Sequence, residues 1–156
     1  MQRRMLWGAV ACVALCRPCF ADRISAHFTV SATVAAACGS VTASKLDFGT
    51  YVSGAAATDA QGLVTVTCSK GTSYTITLSS GAGESVRTMT GASGALRYAL
   101  YQNSERSTVW GSSASAARVS AATGAPEAYP VYGRIFASQS ALPGAYADVI
   151  TVNVDF

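Results

Sequence analysis

Alternation constrains this chain more than any other feature. From Asp22 to Val34, Ile24, Ala26, Phe28, Val30, Ala32 and Val34 fall on one face, and Arg23, Ser25, His27, Thr29, Ser31 and Thr33 on the other. A period of two is that of an extended strand. The same period returns in short runs at 62–69, 73–79, 95–102, 129–137 and 146–156, with shorter strand-like pieces at 45–51 and 107–111. Gly-rich turns, such as 80–85, separate them. In 95–102 the alternation points Leu96, Tyr98 and Leu100 inward, and Pro130 sits near the start of its run, where a missing N–H is tolerated. No segment longer than ten residues carries a helical apolar period, and the Ala-rich stretch 112–128 has no apolar stripe and reads as a loop. Many short strands with Gly-rich turns predict a single all-β sandwich or barrel domain.

The first residues stand apart. Arg3 and Arg4 precede an apolar run from Met5 to Leu15, and Cys19-Phe20-Ala21 closes it. A basic start, a short apolar centre and small residues at the third-last and last positions read as a secretory signal peptide over 1–21. The run falls short of the ~20 apolar residues that span a bilayer. Cys12, Cys16 and Cys19 lie in poor contexts for lipidation. Removing 21 of 156 residues leaves 135, enough for one domain with its own core. Arg3, Arg4 and Arg17 leave with the leader, so eight of the eleven Lys and Arg remain against eight Asp and Glu. The mature chain is then neutral with its histidine uncharged. No basic stripe is left to neutralise phosphates, which argues against nucleic-acid binding.

Three of the five cysteines also lie in the leader, leaving Cys38 and Cys68. Two cysteines in an exported chain read as one disulfide. The alternatives are a metal site or a reactive thiol, and the one histidine, His27, lies on the polar face of the first alternating run. Constellations for catalysis are sparse. No G-x-S-x-G elbow accompanies His27, the Gly-rich 80–85 lacks phosphate-loop spacing, and Asp47, Asp59, Glu84 and Asp148 are scattered. No cofactor, metal or small-molecule substrate is expected, and the chain does not read as an enzyme. Tyr98, Tyr101, Trp110, Tyr129 and Tyr132 suit either core packing or a sugar site.

The two ends of the mature chain remain. At the last stretch Ile150, Val152, Val154 and Phe156 share one face, and Thr151, Asn153 and Asp155 the other. Terminal strands with matched apolar faces make a natural pair for a sheet edge, and an unpaired edge invites a strand from another chain. The C-terminal run from Gly144 to Phe156 fits G-x-Y-x-D-x-[ILV]-x-V-x-V-x-[FY]. With the alternating first run leading into Cys38, then 46–51, 64–81, 96–102, Trp110-Gly111 and 131–139 in order, the chain resembles the spore coat protein U domain family. That family includes subunits of archaic (Csu-type) chaperone–usher pili.

The resemblance implies an incomplete immunoglobulin-like β-sandwich, completed by a donor strand from a neighbouring subunit. It implies three segments: the leader 1–21, an N-terminal donor extension 22–35, and a β-sandwich over 36–156. The donor would insert Ile24, Phe28, Val30 and Val34 into the next subunit. Ile150, Val152, Val154 and Phe156 would border the acceptor groove where a chaperone strand binds first. Cys38–Cys68 would be the family's disulfide. The implied partners are identical or related pilin subunits, a periplasmic chaperone and an outer-membrane usher. The route would run through the periplasm to a fimbria on the cell surface, supporting adhesion or biofilm formation. A single mature domain argues for a shaft or adaptor subunit rather than a two-domain tip adhesin. The alternative is a monomeric secreted β-sandwich that binds a glycan or surface ligand, with residues 23–34 folded back into their own domain.

Overall fold

Two antiparallel sheets account for the alternating runs. The computed structural model describes residues 23–79, 85–92 and 94–156. The expected leader 1–21, Asp22, residues 80–84 with Glu84 among them, and Ser93 lie outside the described residues. The strands are β1 (Cys38–Ala43), β2 (Thr58–Cys68), β3 (Ser73–Leu78), β4 (Arg87–Gly91), β5 (Gly94–Tyr101), β6 (Arg118–Ala121), β7 (Glu127–Ile135) and β8 (Val152–Asp155). One sheet has five strands in the order β1-β2-β7-β5-β4, and the other has three in the order β6-β3-β8. The chain divides into two units, Met1–Thr33 and Val34–Phe156, and all eight strands belong to the second.

The core lies between the sheets, where the period of two placed it. Val64, Val66 and Cys68 from β2, Tyr74, Ile76 and Leu78 from β3, Leu96, Tyr98 and Leu100 from β5, and Tyr129, Val131 and Ile135 from β7 form one buried cluster. Each large aliphatic side chain so buried contributes roughly 1.5–3 kcal/mol. Trp110 is fully buried and ties the sheets together: its backbone N–H donates to Leu100 O (2.9 Å) and its indole Nε1–H to Ile76 O (3.0 Å). The strand-like piece at 107–111 is thus a strap, with Val109 making a single bridge to Tyr101.

Several sequence expectations are corrected. The segment 45–51 is not a strand: the Asp47 carboxylate accepts the Gly49 N–H (2.9 Å), and Gly49 takes φ +66°, which breaks the period. The Ala-rich stretch is not all loop. It holds a 3₁₀ turn at Ala114–Ala116 and then β6, which pairs with β3. Strand β4 was not legible, because its single inward charge, Arg87, masks the alternation. Arg87 is fully buried, and its guanidinium donates to the carbonyls of Ser79 (3.0 Å), Leu78 (3.3 Å) and Trp110 (2.8 Å). Hydrogen bonding of this kind offsets the cost of taking a cation out of water. The last run is a strand only over β8, and β8 pairs with β3 rather than with the first alternating run. Residues 23–37 belong to no sheet of this chain. Pro130 is tolerated for a different reason from the expected one: it lies inside β7 opposite Leu63, in the part that β5 does not reach.

Cys38 and Cys68 face one another in the β1–β2 register and form a disulfide that spans a sequence separation of 30. This bond holds an edge strand that has only one partner. Replacing both cysteines by alanine should lower unfolding stability by about 2–5 kcal/mol in urea titrations, with β1 the first element to lose amide protection in hydrogen exchange.

Candidate functional site

The three-stranded sheet is narrower than the five-stranded one, and a cleft lies beside it. Its volume is about 980 Å³. The floor is apolar, built from Val64, Leu96, Leu100, Val131 and Ile135 with the Tyr98 ring. Two irregular borders flank it. The first, 43–53, continues from β1; the second, 141–152, leads into β8. Strands β1 and β8 are edge strands of different sheets; they approach within 8 Å, Cα to Cα, and share no backbone pairing. Among the described residues, the sandwich is therefore open along the line from the β1–β8 seam into the cleft.

Each border is held by specific contacts. On the first, Leu46 and Phe48 lie over Gly133 of β7, where an added Cβ would come within 2.7 Å of the Phe48 ring and 3.0 Å of Leu46. Phe48 meets the Tyr98 ring edge-to-face at 6.0 Å between centroids. The second border is stitched to the free edge of β4: Thr90 and Ala147 exchange both backbone hydrogen bonds (2.9 and 3.0 Å). Gly91 makes this approach fit, because a Cβ there would lie 2.3 Å from the Ala145 carbonyl oxygen. From the floor, the Tyr98 hydroxyl donates to the Asp148 carboxylate at 2.6 Å. Burial, and then this carboxylate, push the Tyr98 hydroxyl well above its ordinary pKa.

The sequence-predicted site residues separate into groups. Ile150 and Val152 line the cleft, whereas Val154 sits further along β8 opposite Ile76 and Phe156 is exposed. Ile24, Phe28, Val30 and Val34 are 82–95% exposed. That is an unusual state for four large apolar side chains spaced along one alternating run. The cleft residues that sequence reasoning missed include Leu46, Phe48, Met89 and Tyr146. The first two lay in a run read as a strand, and Met89 in the unread β4.

The aromatic set does not gather into one site. Tyr98, Trp110 and Tyr129 are core residues, while Tyr101 and Tyr132 are half-buried partners in the β5–β7 register. Arg106 lies over the Tyr132 ring at 5.9 Å. The carboxylates serve local pairs. Arg134 forks onto Asp59 at 2.7 and 2.8 Å and holds its carboxyl below the usual range, and Lys45 does the same for Asp47. Glu127 accepts from the Tyr74 hydroxyl, which lowers the carboxyl pKa, while burial and this contact raise the tyrosine's. His27 is exposed. Among the described residues, no group of three His, Cys, Asp or Glu is placed to hold a metal.

The tyrosines give a pH signature. A hydroxyl that titrates near 10 in the unfolded chain and higher in the folded one adds stability in full below pH 10, and that stability drains away as pH climbs from there towards the folded value. The urea midpoint should therefore fall between pH of about 9 and about 11. Tyr98→Phe should remove part of that fall and leave the part due to Tyr74. Gly91→Ala should detach the second border from β4 and cost about 1–3 kcal/mol, read by the same titration.

Comparisons with known proteins bear on this architecture. A chain of the crystal structure of the CsuC–CsuE chaperone–tip adhesion subunit pre-assembly complex, from archaic chaperone–usher Csu pili of Acinetobacter baumannii, shares the fold. Its TM-score is 0.60 at 24% identity, over 80% of this chain and 41% of that one, so the present chain spans less than half of that neighbour's length. No curated protein sequence matches significantly. The family model of the Spore Coat Protein U domain matches residues 24–153, 130 of the 156 residues. The chain belongs to the spore coat protein U domain family.

Proposed function

We propose that this chain is a structural subunit of a surface pilus, polymerised head-to-tail by donor-strand exchange. The observation that carries the reading is a pair of unmet needs in one molecule. The sandwich has an apolar cleft running to two unpaired strand edges, and residues 23–34 are an alternating apolar run that joins no sheet. Adding a strand to the β8 edge satisfies backbone groups and places apolar side chains in the cleft together. Burying Ile24, Phe28, Val30 and Val34 would contribute roughly 6–12 kcal/mol before the cost of ordering the strand. Donor and acceptor are different surfaces of the same chain, so the contact is heterologous and propagates as an open fibre.

Residues 1–21 act in this reading as the export signal, 22–35 as the donor extension and 36–156 as the acceptor domain. A subunit with an open cleft aggregates unless it is covered, which calls for a periplasmic chaperone whose strand occupies the cleft until an outer-membrane usher exchanges it. The Acinetobacter structure is itself a chaperone–subunit pre-assembly complex of such pili. The finished fibre stands on the cell surface and supports adhesion or biofilm formation. The chain's role is mechanical, and the reading assigns it no reaction.

Unboiled SDS gels of the mature chain, expressed in the periplasm with its chaperone, should show a ladder that collapses on boiling. Deleting 22–35, or Phe28→Asp, should abolish the ladder. Adding a synthetic 23–34 peptide to the deleted chain should raise its melting temperature by mass action. A normal ladder from Phe28→Asp would overturn the donor assignment. A deleted chain that is soluble, cooperatively folded and indifferent to the peptide would favour the monomeric binding module.

A further inference from the structure

The two borders of the cleft are tied together at one end through Gln139, which bonds to the cleft-lining residues Tyr51 and Ser53 without lining the cleft itself. Gln139 follows β7, at the base of the second border. Its side-chain amide stands in for a strand residue beside β5: the Arg97 N–H donates to Oε1 (2.7 Å), and Nε2 donates to Arg97 O (2.8 Å) and Phe136 O (2.9 Å). Its main chain reaches the other border. The Gln139 N–H donates to Tyr51 Oη (3.0 Å), and Gln139 O accepts from the Gly54 N–H (2.9 Å) and Ser53 Oγ (3.4 Å). On either side, the Ala141 N–H donates to Ser53 Oγ (3.1 Å) and the Ser138 N–H to Ala55 O (2.9 Å). Residues 51–55, the far end of the first border, and 138–141, the near end of the second, are thus one hydrogen-bonded block anchored on β5.

The topology gives this block a meaning. The first border runs from β1 towards it, and the second runs from it towards β8. A strand lying between the borders is therefore parallel to one and antiparallel to the other, and one of its ends points at the block. We propose that Gln139 is a positioning residue for the inserted strand: its clasp is a fixed stop that selects a single register. The inference rests on the strand-acceptor reading of the cleft. Register matters here because the donor's apolar face is uneven. Ile24, Phe28, Val30 and Val34 are large but Ala26 and Ala32 are small, so a slip of two residues sets an alanine where a large side chain belonged and leaves a void. Along the rest of the cleft the floor is apolar and offers few directional contacts to resist such slippage.

The test uses the full exported chain with a photo-crosslinking residue at position 23 or 35, one at each end of the donor. Isotopically distinct copies are mixed so that cross-links between copies are identified by mass spectrometry. In the wild type, one of the two labels should cross-link to 51–55 or 138–142 of the neighbouring copy, at one dominant site. In Gln139→Ala the ladder should persist. The Arg97 backbone groups are exposed and take water instead, so the fold survives, but the cross-links should spread along the cleft, and the dominant site should lose about fivefold of its share. A loss of stability alone would lower the yield without broadening the sites. If Gln139→Ala fails to fold, Tyr51→Phe removes the hydroxyl bridge while keeping the ring, and it should broaden the sites in the same way. One unchanged dominant site in a folded variant overturns the stop. Absence of any cross-link between wild-type copies overturns both the stop and strand donation.

Discussion

The mismatch between five strands and three governs this molecule. A sheet buries its inner face only where something lies over it, and β6, β3 and β8 cannot reach across the whole of β1-β2-β7-β5-β4. Trp110 and Arg87 fasten the strands that do overlap, one through an indole N–H on Ile76 and the other through carbonyls of Leu78, Ser79 and Trp110. Beyond them lies the cleft, whose floor is made of buried core side chains and whose exposed large apolar side chains, Leu142 and Val149, stand on the second border.

The cleft borders are irregular for physical reasons. A regular strand at 43–53 would close on β2 and carry Leu46 and Phe48 away from the floor. The Asp47–Gly49 turn prevents this and lays both side chains over Gly133, where only a residue without a Cβ leaves room. Likewise, 145–148 is held at the edge of β4 by two backbone bonds and the Asp148–Tyr98 contact, so it cannot pair along β3. Both borders thus stay apart over the floor and meet at the Gln139 block. Their separation is a property of the fold and does not depend on an occupant.

Legibility in the sequence followed the periodicity. β2, β3, β5 and β7 carry clean alternation with Val, Ile, Leu and Tyr inward, and all four were readable. β4 was not, because Arg87 occupies an inward position, and a buried guanidinium is recognisable only once the carbonyls it meets are known. β6 hid among Ala and Ser, whose side chains give little contrast between faces. Of the candidate site, Ile150 and Val152 were found from their alternation. Met89 was not, because β4 was unread, nor was Tyr146, which joins the cleft where the chain crosses from one sheet to the other. Gln139 offered no signal, because its amide matters through partners at 51–55 and 97.

Taken alone, the sequence determined the β class, the faces of the central strands, the pairing of Cys38 with Cys68 and an apolar alternating run at 23–34. These follow from local chemistry: a period of two, two cysteines outside the apolar N-terminal run, and the steric character of glycine turns. Tertiary structure decided which strands share a sheet, that one sheet is wider than the other, and where the resulting cleft opens and closes. Those features depend on contacts between residues far apart in the chain, such as Thr90 with Ala147 and Gln139 with Tyr51 and Arg97. Hydrogen bonds at that range are fixed by the packing of whole sheets, which no local pattern encodes.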